Sequence, residues 1–250
     1  MCTLVVLYRP EHAWPVIIGA NRDELLSRPA RPPGRHWPDR PHVVAGLDEQ
    51  AGGSWFGVND DGVAAGIMNR VGTLGPAAGK RSRGELVLEA LDHAEAAAAA
   101  EALSHLNADA YRGFNLLVAD SRGACWLRHA EAPGGRVEVH ALAPGLSMLT
   151  AYELNDPASA RIRHYLPLFR AAAVPDPERD DWSAWEALLA SRQGAEPDDP
   201  FAAMNIVTDR GFGTVSSLLL ALPAPGRGVK PRFRYAAGRP DVAAYRDVRL

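Results

Sequence analysis

The sequence predicts an α+β chain built on mainly antiparallel sheets, and three observations carry that expectation. Short, β-branched runs come in hairpin order from the first residues. Helical periodicity is confined to a stretch opening at Ser82 and to two segments between about 157 and 191. More strand-like runs then follow the helices. This order excludes a doubly wound parallel sheet, in which strands and helices alternate. The chain has 250 residues, 47% of them hydrophobic and 23% charged, enough to bury a core without disulfides or metals. Neither a repeat nor a linker divides it, so one domain over 1–250 is expected.

Composition removes several function classes. A net charge of −3 offers no electrostatic footprint for nucleic acid. No run approaches the ~18 consecutive apolar residues of a membrane helix. The amino terminus lacks the basic segment of a secretory leader. The two cysteines, Cys2 and Cys125, make no disulfide framework, and a reduced thiol pair fits the cytoplasm. The histidines show no paired metal spacing of the His-Glu-x-x-His type, so no metal site is expected. Oligomeric state leaves no mark in the sequence.

Each element follows from its own pattern. Residues 3–8 are almost continuously apolar, as a strand buried on both faces is. Residues 9–13 form a turn with φ set by Pro10, and 14–20 return as a second strand. Pairing about a centre between Glu11 and His12 sets Cys2 opposite Asn21, to within about two residues. The Pro- and Arg-rich segment 27–42 is an ordered loop, either a pocket wall or a solvated connection. Residues 43–46 form a short strand. Residues 54–59 and 62–68 form a hairpin around Asn59-Asp60-Asp61-Gly62, and Asn69 ends its second strand. A flexible loop over 71–81 leads to Ser82-Arg83-Gly84-Glu85, which has capping-box spacing. The helix it opens carries Val87, Leu91, Ala94 and Ala98 on one face and runs on through the alanines at 96–100.

Residues 114–120, 123–129, 136–141 and 146–150 read as a β-meander with turns at 121–123 and 133–135. Cys125, in its second strand, reads as a buried core thiol. Helices follow around 157–171, with Ile162, Tyr165, Leu166 and Phe169 on one face, and over 180–191, with Trp182, Trp185, Leu188 and Leu189. A polar loop covers 193–200, strands fall near 205–208, 214–222 and 231–236, and the tail from 237 is weakly patterned.

The chemistry centres on Cys2. Methionine before a small residue is normally trimmed, which would leave a thiol and a free α-amine on one residue. With reference pKa values of about 8.5 and 7.7–8.0, the amine can take the thiol proton near neutral pH. Nucleophile and base then share one residue. The bland alternative is a small apolar residue at a strand start. Asn21-Arg22-Asp23-Glu24, delivered beside Cys2 by the hairpin, is a dense polar cluster that either faces water or does chemistry.

Cys2-Thr3 followed by Asn21-Arg22-Asp23-Glu24 resembles the Transport and Golgi organisation 2 family, also named NRDE after that tetrapeptide. The resemblance continues in order through Gly53-Ser54-Trp55-Phe56-Gly57-Val58, Ala65-Gly66-Ile67-Met68-Asn69-Arg70, Ser82-Arg83-Gly84-Glu85-Leu86-Val87 and Gly113-Phe114-Asn115-Leu116-Leu117-Val118, and covers residues 2 to about 222. The family is similar in turn to N-terminal nucleophile hydrolases such as bile-salt and penicillin V acylases. The resemblance implies a four-layer αββα sandwich and acyl transfer from a small amide or thioester. It implies Asn69 as oxyanion donor; on the residues' own chemistry Cys2 is the nucleophile, Asp23, just past the paired strand, holds the α-amine, and Asn21 orients the amine or the substrate carbonyl. A guanidinium at Arg22 could stabilise a thiolate or bind a substrate carboxylate, and Trp55 and Asn155 are the candidate substrate contacts.

The chain departs from the acylase pattern in places. The Arg that precedes the Asp there is Ala20 here, and Arg22 is expected on the other face of its strand. An acylase Asn becomes Ala151, with Asn155 nearby. The family's Tyr-Gly-Thr-Arg-Ser reads Phe212-Gly213-Thr214-Val215-Ser216. For Arg22 and Glu24 the structural alternative is an ion pair. No cofactor is required for acyl transfer. The resemblance also implies links with haem trafficking and with lipid or acyl-coenzyme A handling, so the alternative function is a non-catalytic carrier on the same scaffold, with haem iron held by the Cys2 thiolate.

Overall fold

The computed structural model of the chain describes residues 2–132, 134–194, 196 and 199–250. The expectations on Met1, on Pro133 in a turn, and on Ala195, Pro197 and Asp198 in a polar loop lie outside the described residues.

Two antiparallel sheets stack face to face. The first contains β1 (Thr3–Tyr8), β2 (Val16–Leu25), β10 (Gly145–Leu149), β11 (Phe212–Leu222), β12 (Arg232–Ala236) and β13 (Arg246–Asp247), in the order β10-β1-β2-β11-β12-β13. The second runs in sequence order through β3 (Ala30–Gly34), β4 (Val43–Asp48), β5 (Phe56–Asn59), β6 (Ala64–Asn69), β7 (Phe114–Ala119), β8 (Ala124–His129) and β9 (Glu138–Ala141). Helices α1 (Gly84–Leu91) and α2 (Ala96–Ser104) cover the second sheet, and α3 (Ala160–Ala171) and α4 (Ser183–Leu189) cover the first. The result is an αββα sandwich. Among the described residues no helix is long and apolar enough to cross a membrane.

Strand alternation sorts the side chains into three apolar layers. Leu4, Val6 and Ile18 meet Val44, Phe56, Val58 and Leu117 between the sheets. Val5, Leu7 and Ile17 turn the other way, onto Ile162, Tyr165, Phe169 and Trp185. The expectation that β1 is buried on both faces therefore holds. Ala65, Leu116 and Leu127 pack under Leu86, Val87, Leu91 and Leu103. Trp182 and Trp185 are core, as read from sequence; burying a side chain of that size contributes at least about 2 kcal/mol.

Several expectations need correction. One helix from Ser82 is in fact two. Asn59 Nδ2 donates to the carbonyls of Leu91 and His93 at 2.9 and 2.7 Å, ending α1. Asp120 Oδ2 accepts from Ala96 N–H at 2.8 Å, starting α2 afresh. The capping box does not form either: Arg83 holds the N-cap position without a side-chain bond, and Ser82 Oγ accepts only from Gly84 N–H at 3.3 Å. The fourth strand of the supposed meander, β10, crosses to the other sheet and pairs with β1. The loop 27–42 contains an edge strand, β3, whose Pro32 and Pro33 fall in the register shift between Arg31 and Gly34, where the ladder is interrupted. The loop 71–81 is pinned by Arg83, whose Nη1 donates to the Thr73 and Gly113 carbonyls at 3.0 and 2.9 Å. Cys125 is half-buried rather than fully buried.

Candidate active site

Thr3 pairs with Asn21 in the β1–β2 ladder. Continuing that register sets Cys2 across from Arg22, one residue from the partner expected. Side-chain alternation then divides the polar run. Cys2, Ala20 and Arg22 face the space between the sheets, while Thr3, Asn21 and Asp23 face the α3–α4 layer. The expectation that Arg22 lies away from the face of Ala20 is thus corrected: two residues apart on a strand, they share a face.

A narrow cleft opens at this end of the inter-sheet layer, lined by Cys2, Ala20, Arg22, Trp55, Met68 and Ser216 among others. Its free space is about 20 Å³, room for a water molecule and little more. The Arg22 guanidinium lies 4.2 Å from the centroid of the Trp55 ring, a cation–π contact. Trp55 itself packs against Gly46, where an added Cβ would come within 2.3 Å of the ring. A second close approach holds the segment leading to Trp55: Ser54 N–H donates to the Gly84 carbonyl at 3.0 Å, and a Cβ on Gly53 would strike the Gly84 carbonyl carbon at 2.5 Å. Burial pushes the Cys2 thiol up from its ordinary value, and the Asp23 charge adds to this. The Asp23 backbone N–H and the Arg22 guanidinium act in the opposite direction.

Behind Cys2, on the helical face, sits a buried carboxylate. Asp23 Oδ2 accepts from Arg161 Nη1 at 2.9 Å, with side-chain exposures of 0% and 4%. Asp23 Oδ1 accepts from Thr214 Oγ1 at 2.7 Å. Arg161 also donates to Thr3 Oγ1 and to the Phe201 carbonyl. Arg161 went unnoticed in the sequence. Its signal was there: it lies four and eight residues before Tyr165 and Phe169, on the apolar stripe of α3, where an arginine needs a buried partner.

The remaining candidates are placed as follows. Asn69 ends β6 opposite Phe114; it follows the cleft residue Met68 but is not itself among the residues lining the cleft, and its Nδ2 is buried with no hydrogen-bond partner among the described residues. Asn21 donates both amide hydrogens, to the carbonyls of Leu189 and Met204 at 2.9 Å each, and ties β2 to the end of α4. Trp55 lines the cleft. Asn155, at φ 58°, closes the turn after β10: its Oδ1 accepts from Met148 N–H at 2.7 Å and its Nδ2 donates to Ser147 Oγ at 3.2 Å. Ala151 is buried, and its carbonyl accepts from Val71 N–H. The ion pair weighed for Arg22 and Glu24 does not form; Glu24 lies 4.0 Å from Arg28 Nε, and no carboxylate among the described residues pairs with Arg22.

A family model for Transport and Golgi organisation 2 matches residues 1–207. The chain belongs to the Transport and Golgi organisation 2 family. Its curated relatives include the Transport and Golgi organization protein 2 homologues of Bos taurus, 35% identical over 133 residues, and Homo sapiens, 32% identical over 134. Each match spans 48% of this chain and 45% of the relative, so under half the length of those relatives is covered. Solved structures share the architecture of this family member. The Caenorhabditis elegans N-acylethanolamine-hydrolyzing acid amidase orthologue has a TM-score of 0.59 at 13% identity, over 90% of this chain and 94% of that one. A cysteine-to-alanine mutant of the Clostridium perfringens conjugated bile acid hydrolase has a TM-score of 0.55 at 12% identity, over 100% and 97%. The fold is that of the N-terminal nucleophile hydrolases.

Proposed function

We propose that the chain is a cysteine-dependent acyl-transfer hydrolase that cleaves a small amide or thioester, with Cys2 as nucleophile once Met1 is removed. One observation carries the reading: the Cys2 thiol opens onto the inter-sheet cleft while the buried Asp23 carboxylate is held rigidly on the opposite face of the same strand pair. A backbone nitrogen lies in the plane of the sheet, so an α-amine on residue 2 would sit between the two faces, with the carboxylate side behind it and the cleft in front.

In the reaction the α-amine takes the thiol proton and the thiolate attacks the carbonyl carbon. The Asn69 amide supplies the unused donor for the oxyanion. The carbon–nitrogen or carbon–sulfur bond breaks, and the leaving group departs with the proton held by the amine. Water then attacks the Cys2 thioester, giving the free acid and the original thiol. Arg22 and the Asp23 N–H favour the thiolate against the burial that opposes it. Asn21 is a positioning residue that fixes β2, and Trp55 forms the cleft wall. The amide hydrolases named above support the reaction class through their shared architecture. Two free thiols fit a reducing compartment, and the cytoplasm is the location proposed.

The test is acid-quenched peptide mass mapping after brief exposure of the full chain to short acyl thioesters and acyl anilides. An acyl adduct on Cys2, absent in Cys2→Ala together with turnover, is expected. Turnover that survives Cys2→Ala, or tight binding with no adduct, overturns the hydrolase in favour of a carrier.

A further inference from the structure

The inter-sheet cleft holds an arginine that the acyl-transfer mechanism does not fully use. Arg22 is 7% exposed, yet it forms no ion pair and no hydrogen bond with any described residue. A buried guanidinium without an anion is costly, and in this chain the buried Arg161 has its carboxylate while Arg22 does not. The Trp55 ring covers one face of the fork. Stacking of that kind leaves the N–H edge open for a planar, two-oxygen acceptor.

The surroundings extend the pattern. Ser216 lies directly across the ladder from Arg22, on the cleft face, where a register shift at Thr214/Ser216 re-aims β11. Tyr235 pairs with the cleft residue Leu218 on the next strand and joins the same apolar layer. Its hydroxyl is close enough to feel both the Ser216 hydroxyl and the Arg22 charge. Arg22 with its aromatic wall and Ser216 thus line the cleft together with Cys2, and Tyr235 stands on the same face one strand further along the sheet. With about 20 Å³ of free space the cleft must widen to admit any acyl donor, and a short one requires the least widening.

We infer that Arg22, with the Ser216 and Tyr235 hydroxyls, forms a carboxylate-binding subsite beside Cys2, so that the acyl donors taken by this site are short and carry a carboxylate. The inference rests on the proposed role of the cleft as the place where Cys2 meets its acyl donor. It goes further in making Arg22 a substrate-recognising group as well as a neighbour of the thiolate.

Paired alkylation tests it without any assumption about turnover. The rate at which iodoacetate labels Cys2 is divided by the rate for iodoacetamide, with labelling assigned by peptide mass so that Cys125 serves as internal control. The two reagents differ in the carboxylate. In the wild-type chain the ratio at Cys2 is expected to exceed that at Cys125 by about tenfold or more, the range for a hydrogen bond to a charged group. Arg22→Gln should bring the two ratios together. Arg22→Lys, which keeps the charge without the fork, should retain part of the preference, and Tyr235→Phe should reduce it.

A ratio at Cys2 no higher than at Cys125 overturns the subsite, as does a wild-type Cys2 that iodoacetate labels no sooner than Cys125. If both reagents slow equally in Arg22→Gln, Arg22 acts only on the thiolate and the subsite is likewise overturned. A high ratio without acyl turnover leaves the subsite standing and removes the hydrolase. Turnover with a flat ratio does the reverse.

Discussion

Asp23 shows how much of the site hangs on single side chains. Its carboxylate is fully enclosed, with Arg161 on one oxygen and Thr214 on the other. Asp23→Asn leaves the Arg161 charge buried without its counter-charge, and a loss of about 3–5 kcal/mol in unfolding free energy is expected from urea titration. Asn69 is a different case, since its buried Nδ2 makes no hydrogen bond among the described residues that a substitution would break. Asn69→Ala should therefore leave urea stability nearly unchanged while slowing acylation of Cys2 about 10²–10³-fold. Unchanged acylation would remove Asn69 from the oxyanion site. At this scale the sequence showed Cys2, Asp23 and Arg22 as neighbours, because a hairpin is local. It did not show Arg161, which reaches Asp23 across 138 residues of chain, a contact that no local pattern encodes.

Between residues and fold, the elements whose ends are set by local rules were legible and those ended from afar were not. The Asn59–Gly62 turn, with Gly62 at φ 85°, was readable because positive φ selects glycine. The break between α1 and α2 was not, since alanine favours helix through the region and the interruption comes from Asn59 and Asp120 on distant strands. Asn59→Ala orphans the Leu91 and His93 carbonyls and should cost about 1–3 kcal/mol in urea unfolding. The passage of β10 into the first sheet was equally hidden, because strand pairing there is set by the edge of β1 rather than by a turn. Trp55 is an element-scale device, held between Gly46 and Arg22. Gly46→Ala pushes the ring off its seat, and Cys2 labelling by a neutral alkylator should quicken as the cleft opens; an unchanged rate would mean that Trp55 does not control access.

For the molecule as a whole, the α+β class and the αββα layering followed from strand order and from the ordered family motifs, and the structure bears both out. One global property follows from a histidine that the sequence did not single out. His129 is buried, both ring nitrogens lack partners among the described residues, and burial pushes its pKa below the ordinary 6.5. Below about pH 6.5 the unfolded chain binds a proton that the folded chain resists. Stability should thus be full above that pH and fall as pH drops through it, with urea midpoints showing the acid limb and His129→Leu flattening it. The central claim concerns Cys2 and Asp23, where two strands carry a thiol and a buried carboxylate to one point. Its most direct test is the intact mass of the purified chain before and after brief exposure to a limiting thiol alkylator. Loss of Met1 with a single rapid addition at Cys2, ahead of Cys125, is the expected result. A retained Met1, or a Cys2 that reacts no faster than a free thiol, would contradict the account.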